Sequence, residues 1–134
     1  KKKEFMLIYY MKKKCKISIK NHKIITILKK TKTAAVIWDK LPLKSKVNLW
    51  GDEVYFYVDF NSEIEDEAKE IINLGEIAYW PTGKAIAIGF GKTPISVKNE
   101  IRLADKCNIW AETNYDLKKL KNIVSGDEVL VEKY

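Results

Sequence analysis

The sequence is poor in the side chains on which most enzyme active sites depend. Its 134 residues include one arginine, Arg102, one histidine, His22, and no glutamine. A Ser–His–Asp triad or a histidine-based metal site is therefore effectively excluded. Because His22 follows an asparagine between two strand-like stretches, we interpret it as part of a tight hairpin turn. The sequence predicts neither a metal nor a cofactor.

Cysteine is also scarce. Cys15 and Cys107 lie far apart and match no spacing of a metal or redox motif. Unbridged thiols are typical of proteins in a reducing compartment. The sequence therefore predicts two free, buried cysteines and a cytoplasmic location.

Long apolar runs are missing. The N-terminal run Phe5–Met11 has seven residues, whereas a membrane-spanning helix needs about 20. The run also lacks the small-residue cleavage site of a signal peptide. We therefore expect no membrane partner. We interpret residues 1–11 as an N-terminal extension that could add an edge strand, and residues 12–134 as a single domain.

Acidic residues are rare in the first third of the chain. Residues 1–46 carry fifteen lysines against Glu4 and Asp39, whereas residues 47–134 carry more acidic than basic residues. The lysines of the first predicted hairpin are Lys12–Lys14, Lys16, Lys20 and Lys23. Nucleic-acid binding through this hairpin is therefore one functional alternative. The abundance of lysine and glutamate without glutamine gives a thermophile-like composition.

Short alternating segments dominate the rest of the chain. Cys15, Ile17 and Ile19 alternate with polar residues, which is typical of a half-buried strand. The same alternation recurs over residues 43–49 and 53–60 and near the C terminus. Because turn residues separate these segments at short intervals, the pattern favours an all-β barrel or sandwich over a parallel α/β sheet.

The sequence predicts one clear helix and one brief helix. Thr31 or Thr33 is a suitable N-cap for the first helix, and Pro42 ends it. The brief helix begins after Asn114 or Asp116. The acidic segment 61–70 is predicted as a short helix or a loop, with Ile71 and Ile72 alternatively entering a strand. Residues 97–106 are predicted to be irregular, followed by a short strand over 108–112.

The strongest local signal is a hairpin between Leu74 and Ser96. Two apolar runs, Ile77–Trp80 and Ala85–Phe90, flank the turn Pro81–Lys84. Proline and glycine in the turn and β-forming residues on both sides predict a β-hairpin. Since the second run is nearly continuous in apolar character, we expect both faces of that strand to be covered.

Three pieces of the sequence resemble a known family. They are Leu41–Leu43 with Trp50–Phe56, then LGEIAYWPTGKA at residues 74–85, then FGKTPIS at residues 90–96. In this order they resemble the small prokaryotic cyclophilin-like proteins of unknown function. The resemblance covers most of residues 12–133. It implies a closed β-barrel of about eight strands with a helix over one open end.

The resemblance also raises a catalytic alternative, peptidyl-prolyl isomerisation. Authentic cyclophilins use an arginine preceded by Phe-His, with a nearby glutamine and aromatic pocket walls. This chain has no Phe-His-Arg sequence and no glutamine, and Arg102 lies outside every matching motif. The resemblance therefore implies the fold without the conventional catalytic motif, and a weak or atypical isomerase is retained only as an alternative.

Aromatic and proline residues cluster around the central hairpin. We expect them to line a groove that binds a small ligand or a proline-containing peptide, because such sites combine apolar walls with a few polar groups. Glu53 and Arg102 in one pocket could also bind or polarise an acidic substrate. The predicted site residues are Trp50, Glu53, Tyr55, Tyr79, Trp80, Phe90, Thr93, Pro94, Ser96 and Arg102.

Overall fold

The computed structural model describes residues 12–134, so the predicted extension 1–11 lies outside the described residues. The strands are β1 (Lys14–Ile19), β2 (His22–Leu28), β3 (Leu43–Lys46), β4 (Asn48–Leu49), β5 (Glu53–Tyr57), β6 (Lys69–Ile72), β7 (Glu76–Trp80), β8 (Ala85–Gly89), β9 (Ile101–Glu112) and β10 (Glu128–Lys133). The helices are the α-helix α1 (Lys32–Lys40) and a 3₁₀-helix (Leu117–Asn122). Neither helix is long and apolar enough to cross a membrane.

The strands form a nearly closed antiparallel barrel. Within the described residues, the order is β3-β10-β1-β2-β9-β7-β8-β5-β4, and β6 pairs with β9 outside this path. The path ends at β3 and β4, which follow one another in the chain. Since β3 pairs with β10 and β4 pairs with β5, this one chain segment connects the two edges of the sheet. The Ser45 hydroxyl donates to the Tyr57 carbonyl at 2.7 Å across this join. The prediction of a mainly β, cyclophilin-like barrel with one clear and one short helix is confirmed.

The hairpin at the centre of the sequence is confirmed, and β8 has two buried faces. All five of its residues are buried. Ile86 and Ile88 belong to the main core with Val54 and Phe56 of β5. The alternate residue Ala87 packs in a second cluster on the opposite, outer face. The near-continuous apolarity of β8 therefore reflects two cores.

The outer face is covered by β6 and the first half of β9. Lys69 of β6 pairs with Cys107 of β9, and Ile72 pairs with Ile101. The second half of β9 instead pairs with β7 and β2. One strand thus serves both the barrel and the layer outside it. We call β6 with the first half of β9 the outer layer.

The prediction that residues 97–106 are irregular is wrong from residue 101 onward. Ile101 and Leu103 are buried, but the exposed residues Ala104, Asp105 and Lys106 interrupt the alternation. Because the strand changes partners along its length, its two halves do not share one apolar pattern. The interpretation of His22 as a turn residue is also wrong. It is buried at the start of β2, where its ring nitrogens contact Tyr115 Oη at 2.7 Å and Asn122 Oδ1 at 2.6 Å.

The acidic segment forms no helix: residues 61–68 are a loop that leads into β6, which confirms the alternatives of a loop and of Ile71 and Ile72 entering a strand. A buried polar side chain fixes this loop. Asn108 on β9 accepts from the Glu65 N–H at 2.8 Å and donates to Thr33 Oγ1 at 2.9 Å and to the Glu63 carbonyl at 2.8 Å. Glu65 in turn accepts from the Thr33 N–H near the start of α1. The loop therefore connects the helix to the barrel.

We predict that Asn108→Ala destabilises the protein by about 2–4 kcal/mol, since it removes three hydrogen bonds worth about 1 kcal/mol each and leaves buried partners unpaired. Urea unfolding measures the loss. Asn99→Ala is the matched control, because Asn99 is exposed and such surface changes cost about 0.5 kcal/mol or less. Equal stabilities of the two variants would contradict the role of Asn108.

Candidate functional site

The outer face of the β5-β8-β7 sheet carries small residues in its middle strand. Tyr55 lies opposite Ala87, which lies opposite Ala78, and Glu53 lies opposite Gly89. Directly paired residues in an antiparallel sheet project from the same face. The small side chains of β8 therefore leave a depression between the larger side chains of the neighbouring strands.

A pocket of about 230 Å³ occupies this depression, between the barrel and the outer layer. The turn before β5 contributes one wall, and β9 contributes the opposite one. The lining residues are Trp50, Glu53, Tyr55, Trp80, Ala87, Leu103, Ala104 and Cys107. The structure thus brings together four of the predicted site residues: Trp50, Glu53, Tyr55 and Trp80.

Glu53 is the pocket's main ionisable group. Its side chain is buried, with 6% of the residue exposed, and Oε1 has no hydrogen-bond partner among the described residues. Burial raises the pKa of Glu53 from its ordinary value of 4.5 to about 7. A carboxyl group in this state changes charge near neutral pH, and any partner it finds there must come from outside the described structure.

Trp80 supplies a second unsatisfied group. Its indole Nε1 is buried, and within residues 12–134 it has no hydrogen-bond partner. The ring is held by the turn that follows β7, because a methyl group at Gly83 would overlap the indole. Glycine at this turn position therefore allows the close approach that fixes the wall of the pocket.

The other ionisable lining groups, Tyr55 and Cys107, are also acids. Burial, then the neighbouring Tyr57 and Glu53, raises the pKa of Tyr55. Burial, then Glu53 and Asp105, raises the pKa of the Cys107 thiol to about 12. Cys107 is thus a poor nucleophile at neutral pH. Both cysteines are free and buried, as predicted.

Two of the predicted site residues lie in the barrel interior. Tyr79 is fully buried and Phe90 is 5% exposed, and both belong to the main core. The Tyr79 hydroxyl accepts from the Ser62 N–H and donates to the Phe60 carbonyl, each at 3.2 Å. Neither residue lines the pocket. Their positions on the inward side of the sheet separate them from Trp80 and Tyr55.

Three further predicted residues lie in the loop between β8 and β9. The Thr93 N–H donates to Ser96 Oγ at 2.9 Å, and the Thr93 hydroxyl donates to the Arg102 carbonyl. Pro94 is exposed. These residues do not line the pocket. Their hydrogen bonds attach the loop to the start of β9, whose Leu103 and Ala104 do line it.

Arg102 does not share the pocket with Glu53. It is not among the residues that line the pocket. Its Nε lies 2.6 Å from Glu100 Oε1, and its Nη1 lies 2.9 Å from Glu70 Oε1. The expectation that Glu53 and Arg102 form one site is therefore wrong.

Sequence reasoning missed four lining residues: Ala87, Leu103, Ala104 and Cys107. The alternation of isoleucine with alanine and glycine in β8 is a signal that could have indicated Ala87. No comparable signal exists for the three residues of β9, since the exposed middle of that strand hides its regularity. Nucleic-acid binding by the lysine-rich hairpin stays a prediction. Two of its lysines form ion pairs within the protein, Lys16 with Glu132 and Lys20 with Asp127.

We predict that Glu53→Gln changes how stability depends on pH. The folded protein holds the Glu53 proton up to about pH 7, whereas the unfolded chain releases it near pH 4.5. The contribution of Glu53 to stability is therefore full at low pH and falls as the pH rises through this window, by at most about 3 kcal/mol.

The glutamine variant has no ionisable group at this position and does not lose stability in this way. The difference in free energy of unfolding between the variant and the parent protein, measured by urea unfolding, should therefore increase in favour of the variant from pH 4.5 to pH 7.5. Other carboxyl groups affect both proteins equally and cancel in the difference. Parallel stability curves for the two proteins would show that Glu53 titrates normally in the folded state.

Known structures of similar shape include one with clear sequence similarity. The chain is 36% identical to a hypothetical protein, AF2241, from Archaeoglobus fulgidus, with a TM-score of 0.79, covering 92% of this chain and 95% of that one. It also resembles a structure of McbB in complex with tryptophan at 13% identity and a TM-score of 0.61, covering 88% of this chain but 44% of that one. The second likeness shows the fold alone. No curated protein matches the sequence significantly.

The family assignment rests on a match over nearly all the described residues. The model of the cyclophilin-like family matches residues 13–132. This range runs from just before β1 to the penultimate residue of β10, and includes the hairpin β7–β8 and both layers around the pocket. The chain belongs to the cyclophilin-like family.

Proposed function

We propose that the protein binds a small organic ligand in the pocket between the barrel and the outer layer. The observation that carries this proposal is a pair of buried polar atoms, the acceptor Glu53 Oε1 and the donor Trp80 Nε1. Both lack partners among residues 12–134, and both belong to residues that line the same pocket. A ligand with a donor and an acceptor can satisfy both.

The energetic cost of these atoms supports a binding role. A buried polar group without a partner costs about 1–3 kcal/mol, and more when it is charged. The rest of the wall is mainly apolar, with Ala87 and Leu103 beside the aromatic rings. Apolar walls with a few polar groups are the usual construction of small-molecule sites.

The size of the pocket limits the ligand. Its volume of about 230 Å³ exceeds that of an engineered cavity of about 150 Å³ that admits benzene. The pocket therefore suits a ligand with about one ring, or a single side chain of a peptide. Because Arg102 is paired with two carboxylates and lies outside the pocket, we propose binding and not prolyl isomerisation.

We predict that some members of a fragment library, screened by ¹⁵N–¹H NMR, shift the signal of the Trp80 indole N–H. The spectrum of the Trp80→Phe variant lacks this signal and so identifies it. The Trp110 indole is an internal reference, since it already donates to the Ala78 carbonyl at 3.2 Å. Its signal should move less than that of Trp80.

A blocking variant tests the location of binding. Ala104 lines the pocket and is exposed, so Ala104→Phe should fill the entrance and weaken binding at least tenfold. Val124→Phe is the matched control, because Val124 is exposed and does not line the pocket. The proposal fails if no fragment at millimolar concentration moves the Trp80 signal, or if both variants bind as the parent does.

A further inference from the structure

We propose that the ligand is a small protonated amine that carries a hydrogen-bond acceptor on a compact apolar body. This inference rests on the proposed function, because it names the chemical class that the same pocket takes. It follows from three properties of the lining residues: the sign of their ionisable groups, their aromatic rings and the two unpartnered atoms.

The ionisable groups favour a cation. Within the described part of the chain, the ionisable side chains that line the pocket are Glu53, Tyr55 and Cys107, all of them acids. Tyr55 and Cys107 have raised pKa values and are neutral at pH 7, so the negative charges here are those of ionised Glu53 and of Asp105 beside Cys107. Removing a carboxylate from water without a counter-ion is costly, and an opposite charge nearby compensates for it. A cationic ligand provides that charge, whereas an anionic ligand would be repelled.

The aromatic rings favour the same charge. Trp50, Tyr55 and Trp80 all line the pocket. The face of each ring attracts a cation, most strongly for tryptophan, and the attraction reaches about 2 kcal/mol when the groups are desolvated. Three aromatic rings and one carboxyl group around one small pocket are a typical arrangement for binding an organic cation.

The two unpartnered atoms narrow the class further. Glu53 Oε1 needs a donor, and a quaternary ammonium has no N–H to offer, whereas a primary or secondary ammonium does. Trp80 Nε1 is only a donor and needs an acceptor, such as a hydroxyl or carbonyl oxygen. An amine that also carries an oxygen acceptor satisfies both atoms.

The charge of Glu53 makes this binding depend on pH. The ionised form is the one that pairs with an ammonium, and burial keeps the free protein's carboxyl group largely protonated below about pH 7. Amine affinity should therefore rise with pH up to neutrality and then level off, while the amine stays protonated. Tyr55 and Cys107 have raised pKa values and stay neutral in this range, so the change of charge in the pocket belongs to Glu53.

Paired ligands test the inference. Tyramine and leucinol each carry a primary amine and a hydroxyl group, over a long and a short span. The compounds 4-ethylphenol and 4-methylpentan-1-ol are the same molecules without the amine. We expect calorimetry at pH 8 to show at least tenfold tighter binding for an amine than for its amine-free partner. The ratio of the two affinities should be smaller at pH 5.5. A shift of the Trp80 indole signal in NMR spectra should confirm that the compounds bind in this pocket.

Protein variants and a modified ligand complete the test. Glu53→Gln should abolish the tenfold advantage, whereas Glu128→Gln should keep it, because Glu128 is exposed and does not line the pocket. The trimethylated form of tyramine keeps the charge but has no N–H, and should bind more weakly than tyramine. Equal binding of these two would overturn the requirement for an N–H donor.

The failures of the two proposals are distinguishable. If neutral compounds move the Trp80 signal and the amines bind no more tightly at pH 8, the amine inference is wrong and the binding function stands. If the amines, their partners and the fragment library all leave the Trp80 signal unchanged at pH 8, both proposals are wrong.

Discussion

The burial of β8 on both faces is the constraint on which the rest of the structure depends. Its isoleucines fill the barrel, and Ala87 on its other face packs against Leu103 and Cys107 of the outer layer. A strand buried on both faces needs a layer on each side. In this chain β9 supplies both, because it continues from the outer layer into the barrel. The pocket exists where the outward side chains of β8 are too small to fill the space between the layers.

The sequence predicts the elements whose signals are local. The turn at Pro81–Lys84 has its own residues, and Thr31 caps α1 through a hydrogen bond to the Ala34 N–H. The path of β9 could not be predicted, because its partners are distant and differ between its two halves. The loop before β6 also depends on a distant residue, Asn108, which takes the place of regular backbone pairing.

The candidate site could be predicted in part, for the same physical reason. Aromatic clustering points to the hairpin that borders the pocket, but it does not distinguish Trp80, on the outer face, from its neighbour Tyr79, on the inner face. That distinction follows from strand register, which places Trp80 opposite Ala85 and Tyr79 opposite the core residue Ile86. The chemistry of Arg102 is the only sequence feature that suggests it as a site residue. Its two carboxylate partners are recognisable only once β6 is seen to pair with β9.

The residues that fill the barrel and the residues that line the pocket are separate sets. None of the eight lining residues belongs to the main core, although Tyr55 stands beside the core residues Val54 and Phe56 in the chain. Five of them do take part in the second cluster, on the outer face of β8. Substitutions at the other three, Trp50, Glu53 and Ala104, can therefore alter the pocket without disturbing the packing of either cluster.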